Sequence, residues 1–338
     1  MTTLAFPSLS NLANTFLAAP NSPTVAPEVA EAVTQGLLAQ RKTLPAWLFY
    51  DEAGSRLFDE ITAQPEYYLT RTERAIFLEF AGGIIERAAE GHALQMIELG
   101  AGSCDKTRIL LSAAAERQDT VLYEPVDVSK APLEEARESI EREIPGVLVA
   151  PRVADYARGL ALDAPLSGER RLVLYIGSSI GNFEPDAARA LLKRIRATLA
   201  PGDALLLGVD LVKDRKLLHA AYNDASGVTK AFNLNLLHRL NRELGANFKP
   251  EHFEHRAVWN ASESRVEMHL ESRLRQMVSV SGIGALIEFE AGETIHTENS
   301  YKYRRGEAES MLKEAGFAPT QTWTDARGWF AVTLGRAS

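Results

Sequence analysis

The segment IELGAGSCDKT, residues 97–107, decides the fold. Its apolar start predicts a buried strand and its end predicts the first turn of a helix, with a glycine loop between them. Gly100 permits a tight turn and lets a ligand approach the backbone. Asp105 stands where a dinucleotide-binding loop has its third glycine, so the loop suits a mononucleoside better than a pyrophosphate. A simple tight turn is the alternative interpretation.

Short apolar runs alternate with helical patterns around this segment. Five runs are predicted strands: residues 94–99, 120–126, 147–154, 172–176 and 204–209. The helical patterns between them indicate an α/β fold with a doubly wound parallel sheet. Residues 319–324 and 329–334 predict a terminal antiparallel hairpin, which is typical of methyltransferase-type Rossmann-like sheets of class I.

The residues between the fifth strand and the last helix do not follow this alternation. Residues 220–244 have a helical pattern, whereas 253–259, 265–274 and 285–289 alternate as half-buried antiparallel strands do. We therefore predict a second, α+β, substrate-binding domain from residues 28–75 and 213–302. The sheet domain then comprises residues 76–212 and 303–338. Residues 1–27 carry no strong period and predict a poorly ordered arm.

Composition excludes several classes of protein. The net charge of −8 disfavours binding to nucleic acid or to an anionic membrane surface. The single cysteine, Cys104, rules out an internal disulfide and a cysteine-based zinc site, and the seven histidines form no helical metal-binding pair. No apolar run approaches the roughly 20 residues of a membrane span. We expect a cytoplasmic protein without a bound metal.

Polar residues stand at the ends of the second and third strands. Asp127 is placed to accept both hydroxyls of a ribose, or to cap the helix that follows. Asp155 and Tyr156 are placed to bind the amino group of an adenine and to cover its face. Together with the Gly100 loop, these strand ends describe a site for S-adenosylmethionine (SAM).

Two later segments carry further polar groups. Asn182 follows the fourth strand, at the crevice where the strand order reverses, and is either a ligand contact or a left-handed turn residue. The segment TENSYK, residues 297–302, predicts a strand with Glu298, Ser300 and Lys302 on one face. A carboxylate and a hydroxyl two residues apart fit the two nitrogens of an imidazole. A solvated polar strand face is the alternative.

These residues lie within longer strings that resemble a known family. The strings are YDEAGS (50–55), PEYYLTRTE (65–73), PVDVS (125–129), IGNF (180–183), GVT (227–229) and ENSYK (298–302). The chain resembles the histidine-specific SAM-dependent methyltransferases, which trimethylate the α-amine of L-histidine to hercynine in ergothioneine biosynthesis. Asp105 and Asn223 are mild departures, since the family has Glu and Asp there.

The resemblance implies a set of site residues. SAM would be held by Gly100, Lys106, Asp127, Asp155 and Tyr156. The amino-acid head group would be held by Tyr67, Asn182 and Tyr222, and the imidazole by Glu298 and Ser300, with Met268 lining the side-chain pocket. The partner is then the small molecule L-histidine, bound by a monomer.

The sequence offers no evident carboxylate or histidine base. Our hypothesis is that Tyr50, near the junction of the two domains, hydrogen-bonds the amine and orients each methylated state. Three alternatives stay open. One is a methyltransferase for another aromatic amino acid such as tryptophan, and another is a non-catalytic nucleoside-binding partner protein. A nicotinamide-dependent dehydrogenase is disfavoured by the missing third glycine.

Overall fold

A computed structural model describes residues 26–156, 159 and 168–338. Its α-helices are α1 (Pro27–Leu37), α2 (Glu52–Ala63), α3 (Tyr68–Ala89), α4 (Thr107–Ala115), α5 (Lys130–Glu143), α6 (Pro185–Ala197), α7 (Arg215–Ala221), α8 (Val228–Leu244) and α9 (Glu307–Glu314). Its strands are β1 (Lys42–Thr43), β2 (Ala93–Leu99), β3 (Val121–Asp127), β4 (Val147–Val149), β5 (Arg152–Val153), β6 (Glu169–Tyr175), β7 (Ala204–Asp210), β8 (Phe253–Asn260), β9 (Arg265–Ser272), β10 (Gln276–Val280), β11 (Ala285–Phe289), β12 (Thr294–Tyr301), β13 (Phe317–Thr324) and β14 (Phe330–Ala337).

The larger sheet has the strand order β13-β14-β7-β6-β2-β3-β4, with β5 also paired to β3. Strands β2 to β7 run parallel, and β14 and β13 add an antiparallel hairpin at one edge. The class I methyltransferase fold predicted from the sequence is confirmed. The chain leaves β2 towards β3 on one side and returns to β6 on the other, so a ligand crevice opens at the carboxyl ends of these strands.

The second sheet, ordered β1-β12-β9-β8, lies outside that arrangement. Its strands come from the amino-terminal region and from the insertion. Its core combines residues of α1, α2 and α8 with residues of these strands, and it is distinct from the two clusters that contain the residues of the larger sheet. Strands β10 and β11 form a separate antiparallel pair. Among the described residues, no helix is long and apolar enough to cross a membrane.

Three sequence-based element boundaries were wrong. The third strand, expected over 147–154, is divided into β4 and β5 because Pro151 between them has no N–H to donate to a neighbouring strand. The helix expected over 220–244 is two helices, because the Asp224 carboxylate accepts the N–H groups of Val228 and Thr229 and starts α8 anew. Strand β10 was missed. The predicted arm over 1–27 lies almost entirely outside the described residues.

The two sheets meet at a 3₁₀ turn, Ser179–Asn182, that follows β6. Gly181 in this turn packs against the backbone of Tyr301 in β12: a Cβ at this position would lie 2.9 Å from the Tyr301 carbonyl oxygen. Glu184, just after the turn, accepts hydrogen bonds from the Tyr301 hydroxyl (2.5 Å), Arg265 (3.0 Å) and Asn299 (2.9 Å). The close approach of the turn therefore depends on the missing side chain of Gly181.

We expect Gly181→Ala to destabilise the protein by about 1–3 kcal/mol, because the added methyl group forces the turn away from β12. The measurement is urea unfolding at 25 °C. Gly82→Ala is the matched control, since Gly82 lies in α3 with no atom within 4 Å of its Cβ position. There alanine should stabilise by roughly 0.5–1 kcal/mol through its helix propensity. Equal stability of the two variants would contradict the close-contact argument.

Candidate functional site

A cavity of about 830 Å³ lies at the carboxyl ends of the parallel strands and extends to β12 and to the segment between β1 and α2. Its lining includes seven of the residues singled out in the sequence: Tyr50, Gly100, Asp127, Asp155, Tyr156, Asn182 and Glu298. Four others are buried and do not line the cavity: Tyr67, Tyr222, Met268 and Ser300. The strand ends that are distant in sequence thus meet in one place.

The loop after β2 is held by backbone geometry. Gly100 has φ +75°, a left-handed conformation that favours glycine, and its N–H donates to the carbonyl of Val126 (2.8 Å). A Cβ on Gly100 would lie 3.3 Å from the hydroxyl of Tyr156. The ring of Tyr156 packs edge-on against Tyr175, with centroids 5.7 Å apart. Bare backbone therefore faces the cavity at this point, which fits close approach of a ligand.

Asp127 fixes the backbone on both sides of the glycine loop, and its role toward a ribose stays a prediction. Its carboxylate accepts the N–H of Gly102 (3.1 Å), which fixes the glycine loop, and the N–H of Ser129 (3.0 Å), just before α5. Burial raises the pKa of Asp127, although these N–H groups act to lower it. Each carboxylate oxygen can accept further hydrogen bonds. The lining therefore contains a carboxylate suited to vicinal hydroxyls.

Lys106 does not line this cavity. Its ammonium pairs with the carboxylate of Glu73, which is fully buried and also accepts the N–H of Gly177 (2.9 Å) at the end of β6. Lys106 thus neutralises a buried charge beneath the turn that follows β6. Its assignment to SAM stays a prediction, and its visible contacts explain its position in another way.

Glu298 lies on β12 and faces the cavity. Its carboxylate is hydrogen-bonded by the side chain of Asn182, so the turn after β6 and the second sheet are joined at the cavity wall. Burial raises the pKa of Glu298 to about 7, against the opposing effects of Lys302 and Asn182. An acid with this pKa accepts a hydrogen bond as a carboxylate above pH 7 and donates one as a carboxylic acid below it.

Ser300 and Tyr222 are buried together next to Glu298. Their hydroxyl oxygens are 2.6 Å apart. His255 contacts the backbone of Tyr222: its Nε2 lies 2.9 Å from the Tyr222 carbonyl oxygen. The ring of Tyr67 packs edge-on against Tyr222, with centroids 6.4 Å apart. These groups form a rigid polar wall beside the carboxylate.

Met268 and Tyr50 complete the surroundings of this wall. Met268 pairs directly with Glu298 across β9 and β12, past an irregularity between His296 and Glu298. Tyr50 packs edge-on against Phe58 and lines the cavity. Burial raises the pKa of Tyr50 well above its ordinary value, so the hydroxyl keeps its proton at any working pH.

Sequence reasoning missed several residues of the site. Glu184 lines the cavity and ties the turn to β9 and β12, and the proline that follows it is a local signal for a helix start alone. Asp210 and His255 were also missed, and both are buried. An aspartate at the end of a fully apolar strand was the available signal for Asp210. Nothing in the local sequence marked His255.

One group of potential metal ligands lies together within the described part of the chain. Glu267, His269 and His296 offer ligand atoms within 4.8 Å of one another. Their strands β9 and β12 pair across the sheet, so sequence spacing could not reveal them. The two imidazole rings are stacked at 4.8 Å and 23°, and Arg265 donates to Glu267 (2.8 Å). Parallel rings direct their nitrogens along parallel lines, and a guanidinium repels a cation, so this group is a poor metal site.

Comparisons with known proteins show what the chain is similar to. Residues 29–337 match the family described as "Histidine-specific methyltransferase, SAM-dependent". The histidine N-alpha-methyltransferase of Mycolicibacterium smegmatis is 44% identical over 302 residues, which are 89% of this chain and 92% of that protein. The protein of the same description from Mycobacterium tuberculosis is 40% identical with the same coverage. Ergothioneine biosynthesis protein 1 of Neurospora crassa is 31% identical over 84% of this chain and 32% of its own length.

We expect Gly100→Ala to weaken SAM binding by about tenfold or more, because the methyl group is placed where the ligand must approach the backbone. Isothermal titration calorimetry gives the affinity. Gly91→Ala is the control: Gly91 also has positive φ (+88°), but nothing lies within 4 Å of its Cβ position. It should share the loss of stability and keep the affinity. SAM bound equally well by Gly100→Ala and wild type would refute the role of the loop.

Proposed function

This chain belongs to the histidine-specific SAM-dependent methyltransferases, and from that membership we propose that it trimethylates the α-amine of L-histidine to hercynine. It is a SAM-dependent methyltransferase whose substrate is a small molecule, a free amino acid. The names of its relatives support a place in ergothioneine biosynthesis. The observation that carries the proposal is the Glu298 carboxylate, which faces the cavity two residues before the Ser300 hydroxyl.

An imidazole needs both of these groups. In its neutral form one ring nitrogen carries a proton and the other carries a lone pair. The Glu298 carboxylate accepts the N–H, and the Ser300 hydroxyl donates to the bare nitrogen. An indole offers an N–H but no second nitrogen, so it would leave one buried hydroxyl unmatched. This donor set supports histidine over tryptophan as the substrate.

The residues that fit SAM are Gly100, Asp127, Asp155 and Tyr156. The bare Gly100 backbone admits the ligand, and the Asp127 carboxylate suits the ribose hydroxyls. Asp155 and Tyr156 lie beside them for the adenine. When bound, SAM supplies an electrophilic methyl group and a positive sulfur, whose charge disfavours the ammonium form of a nearby amine. Methyl transfer requires alignment of the amine above all else.

We propose that Tyr50 supplies part of that alignment. Its hydroxyl keeps its proton, so it orients an amine by hydrogen bonding and does not act as a base. An α-amine titrates near about 8 in peptides, so a working fraction is unprotonated without a dedicated base. Asn182, Tyr67 and Tyr222 are proposed to hold the rest of the head group.

Five further features remain our proposals. Methyl transfer to an amine is a direct displacement at carbon, so we propose that it proceeds without a metal. We propose a cytoplasmic monomer that binds no nucleic acid. We also propose the domain division given above, with residues 28–75 and 213–302 forming the substrate-binding domain. The separate core around the second sheet supports that division.

The test of the function is incubation of the pure protein with SAM and each of the twenty amino acids, followed by mass spectrometry. We expect L-histidine to gain three methyl groups. Glu298→Ala should lower kcat/KM for histidine by roughly a hundredfold, because a buried imidazole nitrogen loses its partner. Glu288→Ala removes an exposed carboxylate from β11 and should leave the rate unchanged. Methylation of tryptophan alone, or of nothing, would overturn the proposal.

A separate prediction concerns Tyr50. Tyr50→Phe should slow the first methyl transfer by about tenfold and should accumulate mono- and dimethylhistidine, because the amine loses one orienting hydrogen bond. Quenched time courses resolve the three products by mass. Tyr303→Phe, which alters a buried tyrosine among the larger sheet's core residues, is the control. Three unchanged methylation rates in Tyr50→Phe would show that the Tyr50 hydroxyl has no such role.

A further inference from the structure

Lys302 follows β12 directly, and its side chain is completely buried. Its Nζ lies 2.8 Å from the Tyr222 hydroxyl, 2.8 Å from the Ser300 hydroxyl and 3.0 Å from a carboxylate oxygen of Asp210. An ammonium has three N–H donors and no acceptor. All three donors are therefore used within the protein, and Lys302 acts on a ligand only through the groups that it holds.

The hydrogen bonds that the Tyr222 and Ser300 hydroxyls donate and accept can then be counted. Each oxygen accepts one hydrogen bond from Lys302, and the two are 2.6 Å apart, so one hydroxyl must donate to the other. The hydroxyl that accepts from its partner has both lone pairs occupied, and its own proton remains free. The pair therefore keeps one free O–H donor, on an oxygen that cannot accept another hydrogen bond, and one free lone pair, on the oxygen of the other hydroxyl.

We propose that Lys302 is a positioning residue: it fixes which hydrogen-bonding groups the Tyr222–Ser300 pair leaves free, and so makes the side-chain subsite specific for a neutral imidazole. The inference rests on the proposed function. With Glu298 as the acceptor on one side and the free O–H of the pair, assigned to Ser300, as the donor on the other, the subsite matches a ring with one N–H and one bare nitrogen. The remaining lone pair then lies on Tyr222, which is assigned to the head group. Phenyl and indole rings leave the donor unmatched, at the cost of a buried unpaired hydroxyl.

The charges around the subsite support the same assignment. Asp210 pairs with Lys302 and also with Lys213 (2.5 Å), and it accepts from the Tyr68 hydroxyl (2.6 Å). Two ammonium groups thus share one carboxylate, and the excess positive charge is balanced when Glu298 is ionised. Lys302 favours that form, since it lowers the pKa of Glu298 against the effect of burial. The groups that interact electrostatically with Glu298 are Tyr50, Tyr67, Tyr222 and Lys302, with the Asn182 amide as a hydrogen-bond partner.

The test is Lys302→Met in the full chain. We expect SAM affinity, measured by calorimetry, to be retained. We expect kcat/KM for histidine to fall by about tenfold to a hundredfold, mainly through KM, and the preference for histidine over tryptophan to fall with it. The acid limb of the kcat/KM profile should move to higher pH by about one unit, because Glu298 loses the cation that favours its ionised form. Substrate ionisation is common to both enzymes, so it cancels in the comparison.

Lys213→Met is the matched control. It removes the other buried ammonium on Asp210, but Lys213 contacts neither Ser300 nor Tyr222, so the preference for histidine over tryptophan should hold while stability falls. If Lys302→Met does not bind SAM, Lys302→Gln replaces it. Glutamine keeps two donors without the charge, and we expect the acid limb to move while more of the selectivity remains.

The outcomes separate the two proposals. A wild-type enzyme that binds SAM but does not methylate histidine overturns the proposed function and this inference with it. A wild-type enzyme that does methylate histidine, alongside a Lys302 variant with unchanged KM, selectivity and acid limb, overturns the inference alone. A variant that loses stability without any of these three changes shows that Lys302 is merely structural.

Discussion

The contact between the 3₁₀ turn after β6 and strand β12 sets the geometry of the site. On one side of it lie the strand ends that fit a nucleoside, and on the other lies the sheet that carries Glu298. Gly181 brings the two backbones together, and Glu184 ties the turn to β9 and β12 through three hydrogen bonds. Because Asn182 belongs to the same turn, this contact also places its side chain beside Glu298 at the cavity wall.

The site also depends on how buried charge is balanced. The ammonium groups of Lys213 and Lys302 and the Asp210 carboxylate that they share are almost fully buried. They carry one excess positive charge, which Glu298 in the cavity wall balances when it is ionised. A buried charge is costly unless it is paired and hydrogen-bonded. The fold therefore holds these groups in fixed positions, which is what recognition of a small polar ring requires. The same logic applies to Lys106 and Glu73 beneath the nucleoside side of the crevice.

The sequence predicted one half of this arrangement well, for a physical reason. In a parallel sheet the carboxyl ends of the strands meet at one edge, so Gly100, Asp127, Asp155 and Asn182 had to converge once the strands were recognised. The second sheet gives no such rule. Its pairing of β9 with β12 includes an irregularity beside Glu298, and the contacts of Lys302 depend on α7 and β7, which are remote in sequence. The alternating pattern predicted that Lys302 lies on the same strand face as Glu298, but it could not reveal the hydrogen-bond partners of Lys302.

The missing general base follows from the same arrangement. The tyrosine hydroxyls around the site are buried, and burial raises the pKa of Tyr50, Tyr67 and Tyr222 well above the ordinary value. They remain neutral, so in the proposed reaction they hydrogen-bond a substrate nitrogen without taking its proton. Glu298 is the one titratable carboxyl among the groups assigned to the substrate, and an imidazole grip requires it as an acceptor. In the proposed reaction, a carboxylate that binds the ring cannot also collect the protons of the amine, so we infer that the site acts by positioning and that each proton passes to solvent.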